Sequence, residues 1–491
     1  MKPITKLMKE KSALQTSSAN TAKESGEPFD GGNLPTGPTG RYLVTMRDGD
    51  HQAFIRELQK VAGLSAASTA DWENAEGTEA DIEASNALVF EHLNVAVVDV
   101  DPNQMSSLAN AVKDGNSPII AVEQEEFVHA FGPDEPMLPE NPLLTPAGVN
   151  YLHGYQDAIA ALVARVGVGE QAEAEVGNYG EIDTLASYSD TTNLTWGLQA
   201  TRASNTWYTG SGMRIAVLDT GIDLGHPDYV GRTFVVTSFV PGESVQDGHG
   251  HGTHCIGTSC GPKLPAGTAR RYGVATDASI MAAKVLNNAG SGVDAWILAG
   301  INWAIQNKAT IISMSLGAPV AVGGTFKQAY EQAATAAMNA GTLIVAAAGN
   351  AGNNPVGSPA NCPSIMGVGA VDQNLQRASF SCLGINPNGG EINIAGPGVS
   401  VFSSTKMPTR YASFSGTSMA TPHVAGCAAL WAQRTGLRGK PLWDKLVGSA
   451  RPLGQPVSQV GAGLVQAPLL FVLPPIIRPK LAKPPFPMPL P

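Results

Sequence analysis

The centre of the chain alternates short, almost unbroken apolar runs with stretches of helical period. RIAVLD at 214–219, SIMAAKVL at 279–286, TIISMSLG at 310–317, TLIVAAAGN at 342–350 and SIMGVGAV at 364–371 read as strands buried on both faces. Between them DAWILAGINWAIQN at 294–307 and FKQAYEQAATAAMNAG at 326–341 read as helices. Strands of this kind alternating with helices predict an α/β domain built on a parallel sheet, whose functional groups collect at the carboxyl ends of the strands. Nearer the start, RYLVTMR (41–47) predicts a strand, 51–61 a helix and ALVFEHLNVAVVDV (87–100) two strands. PNQMSSLANAV (102–112) follows as a helix opened by Asp101 and Pro102, and PIIAVEQEE (118–126) as a last strand. The order βαββαβ is the ferredoxin-like arrangement, a smaller α+β unit.

These patterns divide the chain into a flexible lead (1–40), the α+β unit (41–131), a linker or insert (132–194), the parallel-sheet domain (195–472) and a Pro-rich tail (473–491). The insert combines a Pro-rich stretch, one apolar-periodic helix at 149–166, and six acids without a base from Glu170 to Asp190. A length of 491 residues leaves room for two or three domains, and 15% charged against 43% hydrophobic residues excludes a disordered chain. The net charge of −10, with no basic cluster beside aromatic residues, argues against a nucleic-acid partner. No run of 18 apolar residues predicts a membrane span, and no apolar stretch follows the first lysines as a Sec signal would. The expected location is extracellular by a non-Sec route, with the cytoplasm as the alternative. Five cysteines do not make a disulfide scaffold in a chain this long. Cys255 reads as a buried thiol, and Cys260, Cys362, Cys382 and Cys427 leave room for up to two bridges of unspecified pairing.

Asp219 closes an apolar run, a place where a carboxylate alone usually caps a turn. His251 follows after 32 residues (251 − 219) in HGTHCIGT, a helix start. Ser418 follows after another 167 (418 − 251) in GTSMATPHVAG, ahead of an apolar helix. Acid, base and hydroxyl are what nucleophilic hydrolysis requires: the imidazole takes the alcohol's proton and the carboxylate holds the imidazole. The stretch DGHGHGTHC, with His249, His251 and His254, is also compatible with a zinc or copper site, which would leave Asp219, Asn350 and Ser418 without a role.

DTGID, HGTHCIGT, AAAGN and GTSMATPHVAG together resemble the four signature blocks of the subtilisin-like serine proteases, in the family's order and over roughly residues 196–470. The cysteine after HGTH resembles the proteinase K branch. The resemblance implies a serine endopeptidase working through an acyl-enzyme on protein or peptide substrates, with Ser418 as nucleophile, His251 as base, Asp219 as orienting acid and Asn350 as oxyanion donor. It implies that Gly290, Ser291 and Gly292 on one side, and Ser315, Leu316 and Gly317 on the other, hold an extended peptide as an added strand. Gly357 would lie at the base of a roomy pocket for a large apolar or aromatic residue before the cut. His254 would pack behind His251, and His249 would be a solvated loop side chain. Asp294 stands where many relatives carry an aromatic wall residue.

The α+β unit resembles the family's inhibitory propeptide. Its last residues, FVHAF at 127–131, would lie in the cleft, with a cut after Phe131 leaving 360 residues (491 − 131). A separate inhibitory partner protein is compatible with this reading. No cofactor is required. Calcium stays compatible with the resemblance but has no support, because its loop is not recognisable in GTSCGPKLPAG (257–267) and Asn393 stands where a carboxylate would be wanted.

Overall fold

The computed structural model describes residues 34–47, 51–72, 86–131 and 187–469. The first 33 residues, the helix expected at 149–166, most of the acidic stretch and the Pro-rich tail lie outside the described residues.

The smaller unit runs β1 (Pro38–Met46), α1 (His51–Ala62), β2 (Ala67–Ser68), β3 (Ala87–Phe90), β4 (Val95–Val98), α2 (Pro102–Lys113) and β5 (Ile119–Ala130). Its strands pair antiparallel in the order β5-β1-β4-β3, the ferredoxin-like order, and the short β2, not expected from the sequence, adds parallel to β3. Asp101 starts α2 by accepting the Asn103 and Gln104 N–H groups at 2.7 and 2.9 Å, while the Gln104 side chain accepts the Asp101 N–H in return. Leu58 of α1 and Leu108 of α2 cover one face of the sheet with Val44, Val89 and Ile119. The opposite face, with Leu43, Leu88, Phe90, Leu93, Val95, Val97 and Val128, is fully buried against the larger domain.

That domain contains α3 (Trp196–Ala200), β6 (Arg214–Asp219), β7 (Phe234–Ser238), α4 (His251–Cys260), β8 (Ser279–Lys284), β9 (Ser291–Val293) and α5 (Asp294–Gln306). The chain continues through β10 (Ile311–Met314), β11 (Leu316–Gly317), α6 (Gln328–Asn339), β12 (Leu343–Ala347), β13 (Met366–Val371) and β14 (Ile394–Pro397). It closes with the hairpin β15 (Val401–Ser404) and β16 (Tyr411–Phe414), then α7 (Thr417–Thr435) and α8 (Gly439–Ser449). Seven parallel strands in the order β14-β13-β12-β10-β6-β8-β7 form the central sheet, with α5 and α6 on one face and α4 and α7 on the other. The smaller unit's apolar face rests on α5 and α6.

Helix α7 is buried from Thr417 to Ala432 and holds Pro422 in its second turn. Proline has no N–H for the carbonyl four residues earlier, so the Ser418 carbonyl is left over. The Ser315 hydroxyl donates to it at 2.8 Å. None of the five cysteines forms a disulfide, and all five are buried.

Candidate active site

Three strand ends and two helix starts meet at one place. Asp219, the last residue of β6, is wholly buried, and one carboxylate oxygen accepts the Thr220 N–H at 2.8 Å and meets His251 Nδ1 at 2.7 Å. His251 is the first residue of α4, and Asp247, four residues earlier, fixes that helix start. Its carboxylate accepts N–H groups from His249, Gly250 and Thr253 and hydroxyls from Thr220 and Thr253, all within 3.0 Å. Burial would lower the His251 pKa, but the Asp219 carboxylate outweighs it and holds the imidazole well above its ordinary 6.5. Its Nε2 is buried without a protein partner among the described residues.

The three histidines of DGHGHGTHC do not share a centre. His254 Nε2 donates to the Val401 and Ala412 carbonyls at 3.0 and 3.2 Å, its ring stacks on Phe414, and burial pushes its pKa down to about 3. His249 is not a solvated loop residue: it is half-buried, its ring lies 6.1 Å from that of His251, and its Nε2 lies 3.1 Å from where a Cβ on Gly290 would be. Among the described residues, the metal-type side chains that do converge are Asp219, His251 and Cys255. The Cys255 thiol lies 3.9 Å from His251 Nδ1, and burial pushes its pKa up. Without a metal it therefore stays as the neutral thiol.

Ser418 is the second residue of α7. Its hydroxyl donates towards two carbonyls, Phe131 at 2.9 Å and Ser315 at 3.1 Å. The Phe131 carbonyl also accepts from Asn350 Nδ2 at 3.1 Å. Thr417 sets the sense of that amide, because its N–H and hydroxyl both donate to Asn350 Oδ1, at 2.9 and 3.0 Å. Gly416 leaves the space open: a Cβ there would sit 3.0 Å from Asn350 Nδ2 and 3.2 Å from the Phe131 oxygen.

Phe131 arrives on β5, which lies between two edges of the larger domain. His129 pairs with Ser291, Val128 with Gly292 and Phe127 with Val293, all antiparallel; on the other side Ala130 pairs with Leu316 and His129 with Gly317. The Ala130 N–H donates to the Gly290 carbonyl at 2.8 Å.

Residues 210–463 match the model of the Subtilase family. The chain belongs to the subtilase family. It is 42% identical over 297 residues to the alkaline protease of Alkalihalobacillus alcalophilus, covering 58% of this chain and 71% of that protein. It is 43% identical over 285 residues to subtilisin Savinase of Lederbergia lenta (56% and 97%). With subtilisin E of Bacillus subtilis strain 168 it shares 39% over 326 residues (63% and 80%). This subtilase is accordingly a serine endopeptidase, a hydrolase with protein substrates. No helix among its described residues is long and apolar enough to cross a membrane.

The Phe131 ring, 2% exposed, fills a pocket of this subtilase walled by glycines. Its tip is 2.6 Å from where a Cβ on Gly317 would be, 3.6 Å from one on Gly357 and 3.8 Å from one on Gly349. Gly357 and Gly317 both line this wall, and Gly317 is the tighter contact. Asn393 gives its side-chain oxygen to the Gly367 N–H at 2.7 Å.

Several positioning residues escaped the sequence reading. Asp247 had a legible signal, an acid just ahead of a helix start. Thr417 had none apart from its place beside Ser418. The acids of β5 read in the sequence only as a strand end, yet Glu123 accepts the Gln328 and Ala329 N–H groups at the start of α6, at 2.8 and 3.0 Å. Glu125, fully buried and held by Arg41 at 2.7 and 2.9 Å, accepts the Ala295 N–H at the start of α5. Both carboxylates sit where helix dipoles favour negative charge.

Proposed function

We propose that Asp219, His251 and Ser418 are the catalytic triad of a self-restrained endopeptidase, and that residues 41–131 are its propeptide, cut after Phe131. One observation carries this reading: the Phe131 carbonyl lies within hydrogen-bond reach of both the Ser418 hydroxyl and the Asn350 amide. In the first step the Ser418 oxygen turns from that carbonyl towards His251 Nε2, gives up its proton, and bonds to the Phe131 carbonyl carbon. Asp219 stabilises the imidazolium through Nδ1. The negative charge that develops on the Phe131 oxygen meets Asn350 Nδ2, which already donates to it and is oriented by Thr417, and the Ser418 N–H, in the unpaired first turn of α7, serves as the second donor. His251 then returns the proton to the Gly132 nitrogen, the acyl-enzyme forms, and water attacks it by the same route in reverse. Apart from the attacking water, every group in these steps comes from the chain itself, so the steps call for no cofactor.

The glycine-walled pocket supports a preference for large apolar or aromatic residues before the cut, and the two edges support binding of substrates as an added strand. A protease that carries its own plug until it is cut suits action outside the cell that makes it. The test is the Ser418→Ala chain, which should accumulate at full length and fail to react with serine-directed phosphonates. The parent should yield a chain that begins at Gly132 by N-terminal sequencing. Phosphonate labelling retained by Ser418→Ala would overturn the assignment.

A further inference from the structure

Beyond the residues next to the cut, the upstream strand meets a second polar site. Glu126 is the sixth residue before the scissile bond, counting Phe131 as the first. Its N–H donates to Asp294 Oδ2 at 2.9 Å, and its carboxylate meets Lys327 Nζ at 2.9 Å. Lys327 spends its other hydrogens on Asp294 Oδ2, at 2.6 Å, and on the Gln124 carbonyl, at 3.2 Å. Asp294 is 1% exposed and its remaining oxygen accepts the Tyr330 hydroxyl at 2.7 Å, so the carboxylate is fixed from below. Asp294 and Lys327 begin or flank α5 and α6 and belong to the larger domain, so they stay behind when residues before the cut leave. The ammonium then keeps one partner, and two of its three hydrogens face the cleft.

We propose that Lys327 and Asp294 form a subsite for the sixth residue before the cut, which rewards a carboxylate there and disfavours a cation. This rests on the reading above that Phe131 precedes the scissile bond. The two residues divide the work. Asp294 takes a backbone N–H, which any residue but proline offers, and so rewards length. Lys327 takes a side-chain carboxylate and so reads charge. A lysine at that position would bring its ammonium against Lys327, and Asp294, whose charge Lys327 already takes up, would offset this only in part.

The experiment uses the active enzyme and octapeptides of sequence 124–131 carrying a chromogenic amide after Phe, with Glu, Gln or Lys in the sixth place. The tetrapeptide of sequence 128–131 serves as reference. The expected order of kcat/KM is Glu above Gln above Lys. The span should be roughly three- to tenfold, kept small because the Glu126 side chain is 39% exposed and the pair is screened. It should shrink as ionic strength rises from ~0.05 to ~0.5 M. In Lys327→Gln the Glu-to-Lys ratio should fall to about one; since each enzyme is compared with itself, the ratio does not depend on the amount of folded variant. Equal rates for Glu and Lys in the parent, or a ratio unchanged by Lys327→Gln, would overturn the subsite. If the tetrapeptide is cut after Phe while the sixth residue makes no difference, only the subsite falls. If the tetrapeptide is not cut after Phe, the placement of Phe131 falls with it.

Discussion

Replacing Phe131 by alanine removes the side chain that holds the end of β5 in the cleft. The ring is 2% exposed, and burying a side chain of this size is worth roughly 1.5–3 kcal/mol. Apart from the two hydrogen bonds on its carbonyl, from Ser418 and Asn350, little else holds this last residue in place. Its N–H reaches the Ser315 carbonyl only at 3.5 Å, so without the ring its carbonyl should spend less time between Ser418 and Asn350. The same energy corresponds to a self-cleavage rate lower by roughly 10- to 150-fold. Leucine, which keeps most of the apolar contact, should lose less than about tenfold. Aspartate should lose more than alanine, because it puts a charge without a partner into an apolar pocket. Mass spectrometry of the chain beginning at Gly132, followed over time at several protein concentrations, gives the rates. First-order behaviour independent of concentration identifies cutting within one molecule. Thermal unfolding of the same substitutions in the Ser418→Ala background checks that the fold is unchanged. If alanine and aspartate chains mature at the parental rate, or the mature chain starts elsewhere, the ring is not the anchor inferred here.

Asn350→Ala should lower kcat with little change in KM, by the ~10²- to 10³-fold that loss of one oxyanion donor costs a subtilisin; a change confined to KM would make it a ground-state contact. Stability should fall on acidification, measured as the melting temperature of Ser418→Ala at pH 7 and pH 5. Burial lowers the pKa of His254 to about 3 and of His423 to about 4. Both are therefore neutral when folded, and their contribution is complete above the unfolded value near 6.5. Below that, each costs about 1.4 kcal/mol per pH unit until its folded pKa is reached. A melting temperature that holds or rises at pH 5 would contradict this, and His254→Gln should lose less than the parent over the same interval.

The strands of the central sheet were legible because burial on both faces leaves an apolar run with no alternation. Elements without that signature were not. Strand β7 lies at the sheet edge with Val235 and Val236 more than a third exposed, β14 is four residues of mixed IAGP, and the β15–β16 strands, VFSS and YASF, mix Ser with apolar residues rather than forming an apolar run. Strand β5 runs four residues past its expected end at 126, because what keeps Phe127 to Ala130 extended is pairing with β9 and β11, more than 150 residues away. The same kind of distance misplaced His249, which looks like a loop residue in DGHGHG but packs near Gly290 and His251. Asp219, His251, Asn350 and Ser418 could be named from their blocks, each being a strand end or a helix start. The hydroxyl and amide that orient them, Thr220 and the Thr417 N–H, carry no signal until the fold brings them together.

The two faces of the small sheet are covered from different sources, and if residues 41–131 are cut away as proposed, this gives that maturation a direction. Leu58 and Leu108, from the unit's own helices, cover one face, but Leu43, Leu88, Phe90, Leu93, Val95, Val97 and Val128 are buried against the larger domain, where α5 and α6 lie over them. Seven such side chains meeting water would cost on the order of 10 kcal/mol or more, comparable to the 5–15 kcal/mol that stabilises a whole domain. A unit that drifts away after its last bond is cut therefore loses the means to stay folded, and rebinding would have to rebuild it. What starts as an equilibrium between plugged and open cleft becomes a one-way latch, set by which of two surfaces a sheet can cover for itself.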